Sequence, residues 1–375
     1  MKKKIVSVLL VAAMAVSMFT GCGSKSDSKK SDSKSGEKTL EVWVPPLDDA
    51  TEKNWGKDWE KEKDCKVNLT VIPWDKYEET YTTALNSGEG PDVGYMYNEM
   101  FPTYIDAGAV EDMSSYVTDE DKKEYKYLSN GNMMDGQYGW PLVTGVPFVL
   151  YYNEDILNAL GEKAPETWDD FARICQEATK DTDGDGKVDQ YGFACGMNTS
   201  DIGAMQILNA YYYSALWQNG GQVYNDDLKS VSFADEAGKE AVTWLKGLTS
   251  YMNEDFMSLS WSDAFSNVFG AGKAAFGITR SSQTDGTTFA ETYPDLNWNF
   301  VTSLKNKDFG TFGATDCLTL MSACEDKDLA MDFIKYVTGS EFMTAYHAKC
   351  PGAALTESEP YVGDEKMEKI YTEDK

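Results

Sequence analysis

The stretch DTDGDGKVDQYG at residues 181–192 places carboxylates at the spacing of a calcium-binding loop. Calcium prefers oxygen ligands, and the EF-hand pattern supplies them from alternating loop positions around a glycine at position 6. Gly186 stands at that position here. The predicted Ca²⁺ ligands are Asp181, Asp183, Asp185, the backbone carbonyl of Lys187, and Asp189.

Position 12 of this loop departs from the pattern, because Gly192 stands where a glutamate would supply two oxygens. The missing ligand must come from elsewhere in the fold or from water. A calcium switch needs flanking helices that open, whereas the residues around Gly192 predict a strand. The sequence therefore favours Ca²⁺ as a fixed structural ion, and a solvated turn without metal is the alternative.

The composition argues against several other function classes. Acidic residues outnumber basic ones by 62 to 34, which repels phosphate backbones and excludes nucleic acid as a partner. The chain has one histidine, His347. A zinc site with several histidine ligands is therefore excluded, and a Ser-His-Asp triad would depend on this single residue. Some carboxylate pair will lie close by chance among so many acids, and no stretch specifies a glycoside hydrolase. We therefore expect no enzyme activity.

Cys22 is the predicted site of lipidation. Three lysines precede an apolar segment at 5–19, which is too short to span a membrane comfortably and ends in FTGC. This ending resembles a bacterial lipobox, which implies a signal peptide at 1–21 and acyl chains, palmitate among them, on Cys22. The alternative is an ordinary secretion signal. Residues 23–38 lack apolar side chains, so 22–38 is a predicted disordered tether.

The other six cysteines show no CxxC spacing. We interpret them as buried thiols. Disulfides remain the alternative, because an even number of cysteines in an exported chain permits pairing.

The first part of the body predicts an α/β domain. Strands are predicted at 40–44, 67–71 and 91–97, with helices at 55–59 and 77–86 between them. This order predicts right-handed crossovers and a ligand site at the carboxyl ends of the strands. A second unit begins near residue 147.

Helical spacing in the second unit predicts a helix capped by Thr167, with Asp170 three residues further on completing the capping box.

Four stretches together resemble one known family. They lie at 85–117 (with GEGPDVGYMY), 150–196 (with APETWDDF and DTDGDG), 269–282 (FGAGKAAFGITRSS) and 329–352. In this order they are similar to the extracellular solute-binding proteins of bacterial sugar ABC importers, the family that includes maltose-binding protein.

The resemblance implies the two-lobed, class II periplasmic-binding-protein fold of α/β type, with a cleft that closes by a hinge around its ligand. Lobe 1 is expected at 39–146 plus about 313–350, and lobe 2 at 147–312, with 351–375 as a candidate addition. The implied partners are a sugar or oligosaccharide and the permease subunits of an ABC transporter. The implied setting is a monomer on the extracellular face of the cell membrane, held by its lipid anchor.

The resemblance also places candidate ligand contacts. By their position in the family pattern these are Asp48, Tyr97, Glu99, Trp140, Asp201 and Arg280. Each has an ordinary alternative: the two aromatic residues as core, the three acids as plain surface, and the arginine as a structural partner of an acid.

Two departures separate the chain from maltose-binding protein. No aromatic residue follows the GK segment, where Arg280 is followed by Ser281, and the family usually continues through more terminal helices. We therefore expect a shortened second lobe and a ligand other than maltose. The remaining alternatives are a receptor for a non-sugar solute and a surface protein for sensing or adhesion.

Overall fold

The computed structural model describes residues 38–47, 49–199, 203–225, 230–283, 287–350, 352–363 and 365–372. The strands are β1 (Lys38–Val44), β2 (Cys65–Val71), β3 (Val93–Tyr97), β4 (Asn132–Met133), β5 (Gly136–Gln137), β6 (Trp140–Asn153), β7 (Tyr191–Ala194), β8 (Ala274–Arg280), β9 (Trp298–Val301) and β10 (Gly313–Leu320).

Helices connect most of these strands. The α-helices are α1 (Asp49–Asn54), α2 (Lys57–Lys63), α3 (Tyr77–Ser87), α4 (Phe101–Asp106), α5 (Asp121–Glu124), α6 (Glu154–Leu160), α7 (Trp168–Ala178), α8 (Gly203–Ile207), α9 (Ser214–Gln218), α10 (Glu236–Gly247), α11 (Trp261–Ala264), α12 (Thr287–Thr292), α13 (Lys327–Val337), α14 (Ser340–His347) and α15 (Glu365–Thr372). Short π-helices follow α8 at Leu208–Tyr213 and α11 at Phe265–Gly270.

Eight strands of the described residues form one sheet, in the order β2-β1-β3-β10-β6-β8-β7 with β9 paired to β6. β1 lies parallel to β2 and β3, which gives the crossovers expected for the first domain. β10 is antiparallel to β3 and β6, and β8 is antiparallel to β6 and parallel to β7. The predicted α/β class is confirmed.

Strand β6 connects the two halves of this sheet. It is 14 residues long. Its first part pairs with β10, up to Pro147 opposite Gly313, and its second part pairs with β8 and β9 from Phe148 and Leu150 onward. One continuous strand therefore belongs to two neighbouring structural units.

The buried apolar side chains separate at the same point. One cluster draws on residues 40–142 and 317–355, and it includes Trp55, Trp59 and Phe333. We call this cluster the first core. Two further clusters draw on residues 148–304, together with Met367 and Ile370, and we call these two the second core.

The terminal segment is divided between the cores. Leu355 packs in the first core, and the Glu359 carboxylate lies 2.5 Å from His347 Nδ1 beside it. Met367 and Ile370 of α15 pack in the second core. The terminal segment therefore contributes buried side chains to both cores, to the first core before α15 and to the second core through α15.

Helix α7 begins as its sequence predicts. Thr167 Oγ1 accepts a hydrogen bond from the Asp170 backbone N–H at 3.2 Å, and the Asp170 carboxylate accepts one from the Thr167 N–H at 3.2 Å. This reciprocal pair satisfies two backbone donors at the helix start, so the capping box is confirmed.

None of the helices in the described ranges combines the length and the apolar composition needed to cross a lipid bilayer. The six cysteines of the body form no disulfide, and five of them are buried whereas Cys350 is half-buried. Burial raises the pKa of the Cys175, Cys195 and Cys317 thiols. The interpretation as thiols agrees with this arrangement.

Candidate ligand-binding cleft

A cleft of about 610 Å³ lies at one edge of the sheet, where the two cores meet. Tyr97 ends β3 and Arg280 ends β8, so the cleft lies at the carboxyl ends of strands from both cores. Its lining comes from the first core (Trp74, Asp75, Glu78, Glu79, Tyr97 and Glu99), from the second core (Ala204, Met205, Gln206, Asn209, Trp261 and Arg280), and from the connecting strand region (Phe312, Ala314 and Asp316).

The first-core wall combines an aromatic face with carboxylates. Trp74 is 45% exposed, and its ring centroid lies 6.4 Å from that of Tyr97. The Tyr97 hydroxyl donates a hydrogen bond to the Glu78 carboxylate. Burial and the neighbouring Glu78 raise the pKa of Tyr97, so its phenol remains protonated. This wall offers a flat apolar surface beside hydrogen-bond acceptors.

Arg280 is fixed on the second-core wall. Its Nη2 donates to Gln206 Oε1 at 3.1 Å, and its guanidinium carbon lies 5.5 Å from the Phe148 ring centroid. Gln206 is buried within α8, which holds the amide oxygen in place. The guanidinium is therefore positioned at the cleft by an amide and a ring.

Asp316 is the acid at the junction of the two cores. It lies on β10, and its Oδ2 accepts a hydrogen bond from the Tyr95 hydroxyl at 2.6 Å. Burial raises the pKa of Asp316 to about 6, although the Tyr95 hydroxyl and the Arg280 charge act to lower it. The carboxyl therefore changes its charge near pH 6.

Two aromatic rings complete the second-core side. Trp261 begins α11, where Ser260 caps the helix, and it meets Phe148 edge-on at 5.6 Å. Phe312 stacks against Tyr213 at 5.9 Å and against Trp217 at 6.1 Å, with interplanar angles of 24° and 8°. Aromatic faces thus stand on both sides of the cleft.

This lining suits a polyhydroxylated ligand. Aromatic faces pack on the C–H surfaces of a sugar ring, while carboxylates and amides accept hydrogen bonds from its hydroxyls. Five of the lining side chains are acidic, and Arg280 is the single basic one among the described lining residues. That charge balance disfavours an anionic ligand.

The cleft brings together three of the six residues that the sequence proposed as ligand contacts: Tyr97, Glu99 and Arg280. Asp48 and Asp201 lie outside the described residues, as does Cys22.

Trp140 does not line the cleft. Its ring is fully buried in the first core, 5.1 Å from the Tyr125 ring and 5.1 Å from Lys335 Nζ. The proposed contact at Trp140 is therefore corrected to a core residue, which was the alternative left open for it.

Sequence reasoning missed Trp74, Gln206, Trp261 and Asp316. Two of them carry a visible pattern. Trp74 follows Pro73 shortly after β2 ends, and Asp316 is the one charged residue in the strand GATDCLTL. A charge inside an otherwise apolar strand indicates a functional or specially paired position.

The calcium-like loop lies apart from the cleft, between α7 and β7. The Asp181 carboxylate accepts hydrogen bonds from the backbone N–H groups of Gly184 at 2.6 Å and Gly186 at 2.7 Å, which lower the pKa of Asp181. Oxygens of Asp181, Asp183 and Asp189 all lie within 4.8 Å of one another. Three of the predicted ligands are therefore close enough to share one ion.

The predicted ligand Asp185 is not part of this trio. Its Oδ1 instead accepts a hydrogen bond from the backbone N–H of Lys187, another predicted ligand residue, at 2.8 Å.

Close packing explains why glycine, Gly192, occupies position 12 of the loop. A Cβ on Gly192 would lie 2.3 Å from the carbonyl oxygen of Cys175 in α7. No side chain fits there, so a glutamate cannot supply the usual pair of oxygens.

Comparison with known proteins gives both a family and a fold. Residues 54–359 match the model of the family described as bacterial extracellular solute-binding proteins. A putative binding protein of Brucella abortus is 25% identical over 286 residues, which cover 72% of this chain and 64% of that protein. This chain thus spans just under two thirds of that relative's length.

Two further proteins match over most of this chain. A maltooligosaccharide ABC transporter solute-binding lipoprotein of Streptococcus pneumoniae is 23% identical over 355 residues, covering 90% of this chain and 77% of that protein. The GacH receptor of Streptomyces glaucescens, solved without ligand and with acarbose, is similar at a TM-score of 0.69 and 18% identity, over 90% of this chain and 86% of that one. The structural likeness establishes a shared fold.

Proposed function

The chain belongs to the bacterial extracellular solute-binding proteins, and from that premise we propose that its cleft captures a sugar or oligosaccharide for delivery to an ABC transporter. The observation that carries this proposal is the cleft lining, where the exposed face of Trp74 and the ring of Trp261 stand on opposite walls and carboxylates line the first-core wall and the junction. The name of the Streptococcus relative also supports a carbohydrate ligand and a transporter partner.

Capture requires the two cores to approach each other around the ligand. The connections that pass between them near the cleft, β6 and β10, are paired to each other at Pro147 and Gly313. A small rotation there would close the walls, bury the ligand and create one shape that a transporter recognises. No covalent step is part of this role.

We also propose that Cys22 anchors the protein on the extracellular face of the cell membrane. The FTGC ending of the apolar leader supports lipidation, and so does the lipoprotein name of the Streptococcus relative. Mass spectrometry of the membrane fraction tests this, because a Cys22→Ala variant should lose the acyl mass and appear in the medium.

The function is tested by calorimetry of the purified protein with mono- and oligosaccharides, including maltooligosaccharides and acarbose. We expect at least one saccharide to bind in the micromolar range or tighter. Ligand at about a hundred times its dissociation constant should also stabilise the fold by about 2.7 kcal/mol. Turnover of a glycoside would instead establish an enzyme.

A cationic solute such as a polyamine is the second candidate, because five acids face one arginine in the described lining. Its binding would weaken steeply with added salt, whereas binding of a neutral sugar would change little. The same calorimetry at low and high salt therefore separates the two ligand classes.

We further propose that the loop at 181–192 holds a structural Ca²⁺ through Asp181, Asp183 and Asp189. The grouping of their oxygens within 4.8 Å supports this. Calcium should raise the unfolding temperature of the wild-type protein, and the increase should disappear in Asp181→Asn. The exposed Asp106→Asn variant is the matched control, and an equal response in both variants would contradict the proposal.

A further inference from the structure

A groove of about 810 Å³ lies on the second core and displays unusually exposed apolar side chains. Of the ten large apolar side chains that are exposed among the described residues, five lie in this groove, with exposures of 40–58%. These are Leu208, Tyr224, Val231, Phe233 and Val242. Concentration of exposed apolar area in one place is typical of a binding surface.

Backbone hydrogen bonds and close packing form the walls of the groove. One wall consists of two short segments, 223–225 and 230–233, where the Ser232 N–H donates to the Val223 carbonyl at 2.9 Å. The Tyr212 hydroxyl donates to the Phe233 carbonyl at 2.5 Å. A Cβ on Gly238 would lie 1.8 Å from that same carbonyl oxygen, so α10 packs directly against this wall. The segment that carries Phe233 is therefore held by contacts to Tyr212 and to α10.

The groove lies next to the cleft. Leu208 lines the groove, and the next residue, Asn209, lines the cleft. Tyr213 lines the groove and stacks at 5.9 Å on Phe312, which lines the cleft. Burial raises the pKa of Tyr213, and both the cleft acid Glu99 and the groove residue Tyr224 are close enough to raise it further. Tyr213 therefore lies between the two sites.

The groove is also nearly neutral. Lys239 is the charged residue in its described lining, whereas the cleft carries five acids and an arginine. A neutral surface of tyrosine and phenylalanine rings fits the flat C–H faces of sugar rings, and the tyrosine hydroxyls provide polar contacts.

We propose that this groove is an outer saccharide subsite, so that the ligand is an oligosaccharide with one end in the cleft and further rings stacked on Tyr213, Tyr224 and Phe233. This inference rests on the proposed function. It adds that affinity increases with chain length and that the increase depends on residues outside the cleft.

The test is calorimetry of the full chain with two homologous series, from glucose to maltoheptaose and from N-acetylglucosamine to its β-1,4-linked hexamer. Wild type is compared with Tyr224→Ala and with the double variant Tyr224→Ala/Phe233→Ala. Met257→Ala is the control, because Met257 is 65% exposed and lines neither site. The single variant at the exposed Tyr224 provides the test if the double variant does not fold.

We expect wild type to bind longer members of one series more tightly. Each aromatic removal should weaken those members by about two- to ten-fold, which is the range of one aromatic contact. The shortest ligand that binds and the control variant should be unaffected. Saccharide binding with no gain from chain length, or a gain that survives in the groove variants, overturns the outer subsite and leaves the proposed function intact. Absence of binding by every saccharide overturns the proposed function and this inference with it.

Discussion

Asp316 places a carboxyl group where ionisation is unfavourable. The pKa of this carboxyl rises on folding from an ordinary value near 4 to about 6. The folded state therefore binds the proton more tightly, and this stabilises the fold fully below about pH 4. That contribution is lost as pH rises through about 6. The ionised form therefore costs stability at neutral pH, on the order of 3 kcal/mol as an upper value. Binding residues commonly carry such a cost.

Replacing this acid should stabilise the unliganded protein. We expect Asp316→Asn to increase the free energy of unfolding by about 1–3 kcal/mol at neutral pH, because it removes the unfavourable charge and retains an oxygen for the Tyr95 hydroxyl. Near pH 4 the difference should vanish, since the wild-type carboxyl is then protonated. Urea unfolding at both pH values measures this, and a loss of stability at neutral pH would show that the charge is favourable.

The same group should make ligand binding depend on pH. Sugar hydroxyls donate to an ionised carboxylate, so saccharide affinity should fall as pH drops below about 6, by up to about ten-fold per pH unit. Asp316→Asn should bind more weakly at neutral pH and show a flat profile. An identical pH profile in both proteins would remove Asp316 from the binding site.

His347 and Glu359 form a buried pair at the edge of the first core. Glu359 also accepts a hydrogen bond from the Leu355 N–H at 2.7 Å, which fixes the segment after α14. We expect His347→Ala to reduce the free energy of unfolding by about 3–5 kcal/mol, because it leaves a buried carboxylate without this partner. Glu341→Ala, exposed on the same helix, should change it by less than about 0.5 kcal/mol. Equal effects would contradict the prediction.

Some of the cleft residues could be predicted and others could not. Tyr97 and Arg280 were predicted from their position in the family pattern, and both end strands, where ligands of α/β sheets usually lie. Trp140 was assigned wrongly because its position at the start of a long strand does not say which way the ring points. The partnership of Asp316 with Tyr95 spans 221 positions along the chain, and no local pattern reveals it.

At the scale of elements, the loop between α7 and β7 shows how packing overrides a motif. Its first nine residues follow the calcium pattern, and Gly192 then fails to supply the last ligand. The carbonyl of Cys175 occupies the space that any side chain would need. The sequence predicts five ligands, of which three carboxylates lie together, and it predicts the strand that follows. The close approach of α7 is visible only in three dimensions.

A small substitution tests this contact. Gly192→Ala should reduce the free energy of unfolding by about 3 kcal/mol or more, because its Cβ would contact backbone rather than a movable side chain. Gly247→Ala at the end of α10 is the control, since nothing lies within 4 Å of a Cβ there, and it should be neutral or stabilising by up to about 1 kcal/mol. Similar behaviour of both variants in thermal unfolding would contradict the packing argument.

At the scale of the molecule, the family and the α/β class predicted from four short stretches are confirmed, and the matched range of 54–359 covers all but the ends. The order of strands at the junction is harder to predict from the sequence, because β10 lies between β3 and β6 although it comes much later in the chain. The terminal segment packs against both cores, and its short polar stretches do not reveal this division in advance.

Closure of the cleft is the expected response of the whole molecule. A saturating saccharide should lower the radius of gyration measured by small-angle X-ray scattering, because the two cores approach around the ligand. Asp316→Asn should reach the same compact state at higher ligand concentration. An unchanged radius at saturation, with binding verified in the same sample, would show that the cleft binds without closing.

Burial of the thiols lowers their reactivity toward oxidants. A thiol reacts with oxidants and disulfides chiefly as its thiolate, and burial keeps Cys175, Cys195 and Cys317 protonated and covered. Burial therefore protects these three thiols from exchange with disulfides in the surroundings. Cys350 differs from these three because it is half-buried.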